Sequence, residues 1–138
     1  MCVHHCGFCE ENKTCAKWRK HRDMSKRLDS IVSYPKLEDN IVFMEKHGLL
    51  EFEQQQKTRE KLLREMLVEF NEGRSKSFYC VAATVLEIGE LEAVLEEAKQ
   101  KAKGLDVKAK SEVMHLLLEE IANKKNYLLK FRRNKQLL

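Results

Sequence analysis

Residues 88–103 read I-G-E-L-E-A-V-L-E-E-A-K-Q-K-A-K, and this stretch decides the fold class. Its apolar residues return at spacings of three and four: Leu91, Val94, Leu95, Ala98 and Ala102. Such spacing places them on one side of an α-helix, with charged side chains on the other. Gly104 follows as a residue suited to ending the helix. The stretch therefore predicts an amphipathic helix whose apolar side must be covered by other helices.

Helical patterns continue on both sides of this stretch. We predict a basic helix over residues 16–33, a break at Pro35, and further helices over residues 37–47, 51–71 and 76–86. Residues 76–86 would also suit a buried strand, but no partner strand is visible elsewhere. Asp106 is a good N-cap for a last helix running to about residue 130. Its predicted buried stripe is Val113, Leu116, Leu117, Ile121 and Leu128.

The chain as a whole therefore predicts an all-α bundle of five or six helices, with a cysteine-rich loop over residues 1–15. A length of 138 residues suits a single domain, 1–138, with its own hydrophobic core. No apolar run approaches the roughly 18 residues of a membrane span. The N-terminus also lacks the apolar stretch of a signal peptide. We therefore expect a cytoplasmic protein without membrane association, in a compartment where thiols stay reduced.

The first fifteen residues, M-C-V-H-H-C-G-F-C-E-E-N-K-T-C, hold four of the five cysteines. In a reducing compartment such a cluster indicates a metal site rather than a disulfide framework. Thiolates are the ligands that zinc and iron–sulfur clusters prefer, and Gly7 allows a tight turn between two of them. We predict four ligands, with three alternates. The predicted ligands are Cys2, Cys6, Cys9 and Cys15, and the alternates are His4, His5 and Cys80.

The spacing Cys-x3-Cys-x2-Cys over residues 2–9, with Phe8 before the last cysteine, resembles the cluster motif of radical SAM enzymes. That resemblance implies that three such cysteines can hold an iron–sulfur cluster. It does not extend to the enzyme, because those proteins have an α/β barrel and this chain lacks alternating strands and helices. A single Cys-x2-Cys knuckle favours a cluster, whereas the commonness of small cytosolic zinc sites favours zinc. The sequence leaves the two open.

Basic residues crowd two stretches, 13–27 and 124–135. In the first, an aromatic ring lies among cations, a combination that can bind phosphates and stack on a base. The candidate nucleic-acid contacts are Lys17, Trp18, Arg19, Lys20 and Arg22. The other interpretation is a solvated helix face with Trp18 docked in the core. A net charge of +4 is modest for a dedicated nucleic-acid binder and favours that second interpretation.

These patterns predict a small cytosolic metal-binding protein with a structural, regulatory or redox-sensing role. One alternative is a nucleic-acid-binding regulator in which the metal site is a structural staple. Another is a redox or metal-delivery partner of an enzyme. The partner would be another protein or a second copy of the chain. Catalysis by the chain itself is not expected, because neither His47 nor His115 has a nucleophile or carboxylate that the sequence places beside it.

Overall fold

The structure is a computed structural model that describes residues 9–11, 13–20, 23 and 33–129, without the side chains of residues 33–35 and 37. Within these ranges every regular element is helical, which confirms the all-α prediction. The elements are α1 (residues 16–20), α2 (Ser33–His47), α3 (Leu49–Glu69), α4 (Lys76–Val85), α5 (Ile88–Lys101) and α6 (Val107–Lys124). None of the helices in this part of the chain has the length and apolarity needed to cross a membrane.

The chain divides into two compact units. The first holds α1, α2 and the start of α3 as far as Gln54, and the second is Gln55–Lys130. The second contains the rest of α3 together with α4, α5 and α6. A single domain over residues 1–138 remains a prediction from the sequence.

In the first unit, α2 begins earlier than expected. It starts at Ser33, so Pro35 lies in its first turn and the break predicted there is wrong. The first N–H groups of a helix have no acceptor within the helix, and a proline costs little at such positions. Gly48, with φ of +87°, separates α2 from α3 at the predicted stop.

The core of the second unit is formed by α3, α4, α5 and α6. All five apolar residues predicted for α5 are buried, and residues 76–85 form a helix rather than a strand. The largest fully buried side chains come from all four helices and from the connections after α3 and after α4. They are Met66, Phe70, Tyr79, Leu86, Leu91, Met114 and Leu118.

Arg59 of α3 is a charged residue buried in the second unit. Its side chain is only 5% exposed. Nη1 donates to the carbonyl oxygens of Ala83, at 2.9 Å, and of Leu86. These carbonyls lie at the C-terminal end of α4, where helix carbonyls lack partners and carry the negative end of the dipole. Arg59 therefore ties α3 to the end of α4, and burial lowers the pKa of its guanidinium.

The register of α6 also differs from the prediction. Leu116, placed in the buried stripe, is 68% exposed, while Met114 and Leu118 are fully buried. Three consecutive leucines, residues 116–118, allow the apolar stripe to be drawn on either of two neighbouring sides of the helix. The buried side is the one that carries Ser111, Met114, Leu117, Leu118 and Ala122.

The two ends of α6 are capped by side-chain and backbone hydrogen bonds. Asp106 accepts from the backbone N–H of Ala109, as its N-cap position predicts. At the other end Asn126 adopts φ of +56°, and the N–H of Tyr127 donates to the carbonyl of Ala122 at 2.8 Å. This is a Schellman motif, and it ends α6 at Lys124 rather than near residue 130.

Candidate functional site

Five polar or aromatic side chains meet in the second unit: Glu72, Ser75, Tyr79, Ser111 and His115. Glu72 and Ser75 lie in the connection between α3 and α4, Tyr79 lies in α4, and the other two lie in α6. Ser75 and Ser111 are buried among apolar side chains. Buried hydroxyls need hydrogen-bond partners, so this polar cluster must satisfy itself.

Glu72 is the acceptor at the centre of the polar cluster. Its Oε2 accepts hydrogen bonds from the hydroxyls of Ser111 and of Ser75, the latter at 2.7 Å. Hydrogen bonds to an ionised carboxylate favour the charged form. The Ser111 bond, followed by the Ser75 bond, lowers the pKa of Glu72 to about 2. The polar cluster therefore contains a fixed negative charge at any pH near neutral.

His115 joins the polar cluster through its ring. Nε2 lies 2.7 Å from the hydroxyl oxygen of Ser75, and the ring stacks on Phe78 with centroids 4.0 Å apart. Ser75 has one proton and donates it to Glu72, so its oxygen accepts from the imidazole. With the Ser75 proton directed to Glu72, the hydrogen between Ser75 and His115 belongs to Nε2 of the imidazole. In a catalytic serine–histidine pair the direction is opposite, because the imidazole nitrogen accepts the proton of the serine. The arrangement is a hydrogen-bonded network that holds the His115 ring in place.

Tyr79 connects the polar cluster to the end of α3. Its hydroxyl donates to the carbonyl of Phe70 at 2.7 Å and lies 3.3 Å from the hydroxyl oxygen of Ser111. Burial raises the pKa of Tyr79, so the phenol stays neutral. The sequence interpretation missed this cluster. The spacing of Ser111 and His115, four residues apart on one helix, would have indicated it if the buried side of α6 had been identified correctly.

A cavity of about 880 Å³ opens beside the polar cluster. Ser111 and His115 form part of its wall. Other side chains from α6 and from the connection before α4 complete the lining: Glu72, Arg74, Val107, Lys108, Glu112 and Leu116. The wall thus combines apolar side chains, a fixed polar network and charges of both signs, a composition found in ligand pockets.

The cysteine segment is described in part. Cys9 is 5% exposed and Cys15 is half-buried, and both are thiols. A turn lies between them, in which the N–H of Cys15 donates to the carbonyl of Glu11 at 2.8 Å. The carbonyl of Cys15 then accepts from the N–H of Arg19, and this is the first hydrogen bond of α1. The cysteine segment therefore leads directly into a helix.

The remaining predicted ligands are distributed differently. Cys2, His4, His5 and Cys6 lie outside the described residues. Cys80 is a half-buried thiol in α4 of the second unit. Among the residues that are described, no group of three or more His, Cys, Asp or Glu side chains is arranged to hold a metal ion. The metal site remains a prediction from the sequence.

The basic residues of α1 lie on different sides of the helix. Lys17, Arg19 and Lys20 are exposed, and Trp18 is half-buried. Residues three apart share a helix side, so Lys17 and Lys20 project together and Arg19 projects elsewhere. Arg22 lies outside the described residues.

In the C-terminal basic stretch, two cations are already paired. Lys124 contacts Glu120 at 2.9 Å, and Lys125 of the second unit contacts Glu90 of α5 at 2.9 Å.

Comparisons with models of known families, with curated proteins and with solved structures find no match to this chain.

Proposed function

We propose that the chain is a helical metal-binding protein in which Cys2, Cys6, Cys9 and Cys15 hold a zinc ion or an iron–sulfur cluster. The observation that carries this proposal is the burial of Cys9, which is 5% exposed. Its described neighbours Glu10, Glu11 and Lys13 are exposed. Burial of this thiol in a polar, exposed segment supports the proposal, because a metal-bound sulfur is commonly shielded from water.

The turn between Cys9 and Cys15 supports the same proposal. Its hydrogen bonds run from the N–H groups of Thr14 and Cys15 to the carbonyl of Glu11, at 3.0 and 2.8 Å. Such a turn reverses the chain within the short segment that separates the two cysteines. Four thiolates within fifteen residues can form a four-sulfur site without a second segment of the chain.

A regulatory role follows from the position of α1. The helix begins directly after Cys15, whose carbonyl accepts the hydrogen bond from Arg19 at 2.9 Å. Metal binding restrains the residue before α1, and loss of metal or oxidation of the thiolates removes that restraint. The helical content of residues 16–20 would then report the metal or redox state.

Metal analysis of the full chain, purified without oxygen, tests the proposal. Zinc, iron and acid-labile sulfide are measured per chain, together with the visible spectrum. One equivalent of zinc in a colourless protein indicates a zinc site, and brown protein with iron and sulfide indicates a cluster. Protein free of all three, after reconstitution with zinc and with iron and sulfide has also been attempted, would show the proposal to be wrong.

The fifth cysteine provides a matched control. Cys9→Ser and Cys15→Ser should each lose most of the bound metal, because each removes a thiolate ligand. Cys80→Ser makes the same chemical change in α4 and should keep the full metal content. Equal loss in all three variants would contradict the assignment of the four N-terminal cysteines.

A further inference from the structure

Three charged side chains that line the 880 Å³ cavity, Arg74, Lys108 and Glu112, form no ion pair among the residues that the structure describes. Lys108 and Glu112 stand four residues apart on α6 yet form no ion pair in the described part of the chain. Comparable neighbours on other helices do pair, at 2.6 Å for Arg64 with Glu60 and for Lys101 with Glu97. In those pairs the acid precedes the base, the favourable order in a helix, whereas Lys108 precedes Glu112.

Arg74 adds a second cation to the cavity wall from the connection before α4. It is exposed and, like Lys108, forms no ion pair within the described ranges. The N-terminal end of α6, at Val107 and Lys108, is already capped by the Asp106 carboxylate, so the available positive charge there is that of the side chains. Arg74 and Lys108 therefore place two cations on the cavity wall.

The other charged groups on the cavity wall are already committed. The carboxylate of Glu72 accepts from two serine hydroxyls, and Nε2 of His115 donates to Ser75. These contacts occupy the polar atoms of the inner wall. Glu112 is left as the carboxylate available to a ligand.

Apolar residues of the cavity wall lie on both sides of these charges along α6. Leu116 is 68% exposed and Val107 is 47% exposed, and both line the cavity. Lys108, Glu112 and Leu116 follow one another at intervals of four residues, or about 6 Å along the helix axis. The α6 wall thus offers a cation, a carboxylate and an apolar side chain in that order.

We propose that this cavity binds a small zwitterion with an apolar side chain, of the α-amino-acid class. The ligand carboxylate lies by Lys108 and Arg74 at the N-terminal end of α6, the ammonium lies by Glu112, and the apolar side chain lies against Leu116. This site is separate from the metal site in sequence and in chemistry, so either proposal can fail without the other.

Three probes of similar shape test the proposal by calorimetric titration of the full chain. L-leucine carries both charges, 4-methylpentanoate lacks the ammonium, and 3-methylbutylamine lacks the carboxylate. We expect L-leucine to bind and each singly charged probe to bind about tenfold more weakly or less, a loss of about 1.4 kcal/mol. Equal affinity for all three, or binding of none, would overturn the proposal.

Substitutions assign the contacts. Lys108→Gln and Glu112→Gln should each weaken L-leucine binding, and Lys103→Gln, an exposed lysine that does not line the cavity, should leave it unchanged. Leu116→Ser should also weaken binding, with Val68→Ser as its control, since Val68 is an exposed apolar residue of α3. Full affinity in the Lys108, Glu112 and Leu116 variants would contradict the site.

Discussion

The hydroxyl oxygen of Ser75 lies 2.7 Å from Nε2 of His115, a residue forty positions later in the chain. Ser75 precedes the first residue of α4 and His115 lies in the middle of α6. The same hydroxyl donates to Glu72, so one serine joins the connection after α3 to α6. The stability of the second unit should therefore respond to changes in this polar cluster.

Removing the Ser75 hydroxyl should destabilise the protein. Ser75→Ala removes the acceptor of the His115 Nε2 hydrogen bond and one of the two hydroxyl donors to Glu72, a loss of about 1–3 kcal/mol. Denaturant unfolding of the full chain measures the change. Ser77→Ala is the control, since Ser77 is exposed in α4, two residues later, and the change should alter stability by less than about 0.5 kcal/mol. Similar losses in the two variants would contradict the role given to the polar cluster.

Acid should weaken the fold through Glu72. Its pKa is lowered from 4.5 to about 2 in the folded protein, so the ionised form is the one that folding stabilises. The contribution is complete above the ordinary pKa of 4.5 and is lost as the pH falls towards 2. We expect protonation of Glu72 to lower the free energy of unfolding by about 2 kcal/mol as the pH falls from 4.5 to 2.

Glu72→Gln isolates the contribution of Glu72 from those of the other carboxylates. The variant should be less stable than the parent at pH 6, and the difference should shrink as the pH approaches 2. Denaturant unfolding at several pH values between 2 and 6 gives both curves. A difference that stays constant with pH would show that the hydrogen bonds to Glu72 do not favour its ionised form.

Arg59 should matter more to stability than an exposed arginine of the same helix. Arg59→Met removes the donor that serves the carbonyls of Ala83 and Leu86, and we expect a loss of about 1–3 kcal/mol. Arg64→Met breaks only an exposed pair with Glu60 and should cost less than about 0.5 kcal/mol. Thermal and denaturant unfolding compare the two, and equal effects would contradict a role for Arg59 in holding the end of α4.

Nucleic-acid binding through α1 should be weak and sensitive to salt. Lys17 and Lys20 share a helix side and Arg19 does not, so few cations of α1 can meet one phosphate backbone. Fluorescence anisotropy with a single-stranded oligonucleotide between about 0.05 and 0.2 M salt measures this. We expect binding to disappear over that interval, and Lys17→Gln with Lys20→Gln should weaken what is seen at low salt. Affinity that persists at the higher salt would favour the nucleic-acid alternative.

The helices were predicted best where the apolar pattern admits one interpretation. In α5 the pattern is unambiguous, and all five predicted residues are buried. In α6 the leucines at 116–118 admit two registers, and the choice depends on packing against other helices rather than on α6 itself. The end of that helix was missed because Asn126 supplies the left-handed residue that glycine supplies elsewhere.

The functional residues were less predictable, for a physical reason. A cysteine cluster is local in sequence, so its four thiols can be recognised from spacing alone. The hydrogen bond between Ser75 and His115 joins residues forty positions apart, and periodicity carries no information about such pairs. The hydrogen bonds of Arg59 could not be predicted for the same reason, because its partners, Ala83 and Leu86, are more than twenty residues away.

The left-handed turn at Asn126 also changes what the C-terminal lysines can offer to a polyanion. Because α6 stops at Lys124, Lys125 does not extend that helix. Lys125 is drawn back onto Glu90, which raises its pKa, and Lys124 is paired with Glu120. Two positive charges that the sequence counts towards a phosphate-binding surface are therefore neutralised within the protein. Fewer cations of the C-terminal basic stretch can therefore contact phosphates than its formal charge indicates. Fewer counterions should accordingly be released when it binds a phosphate backbone.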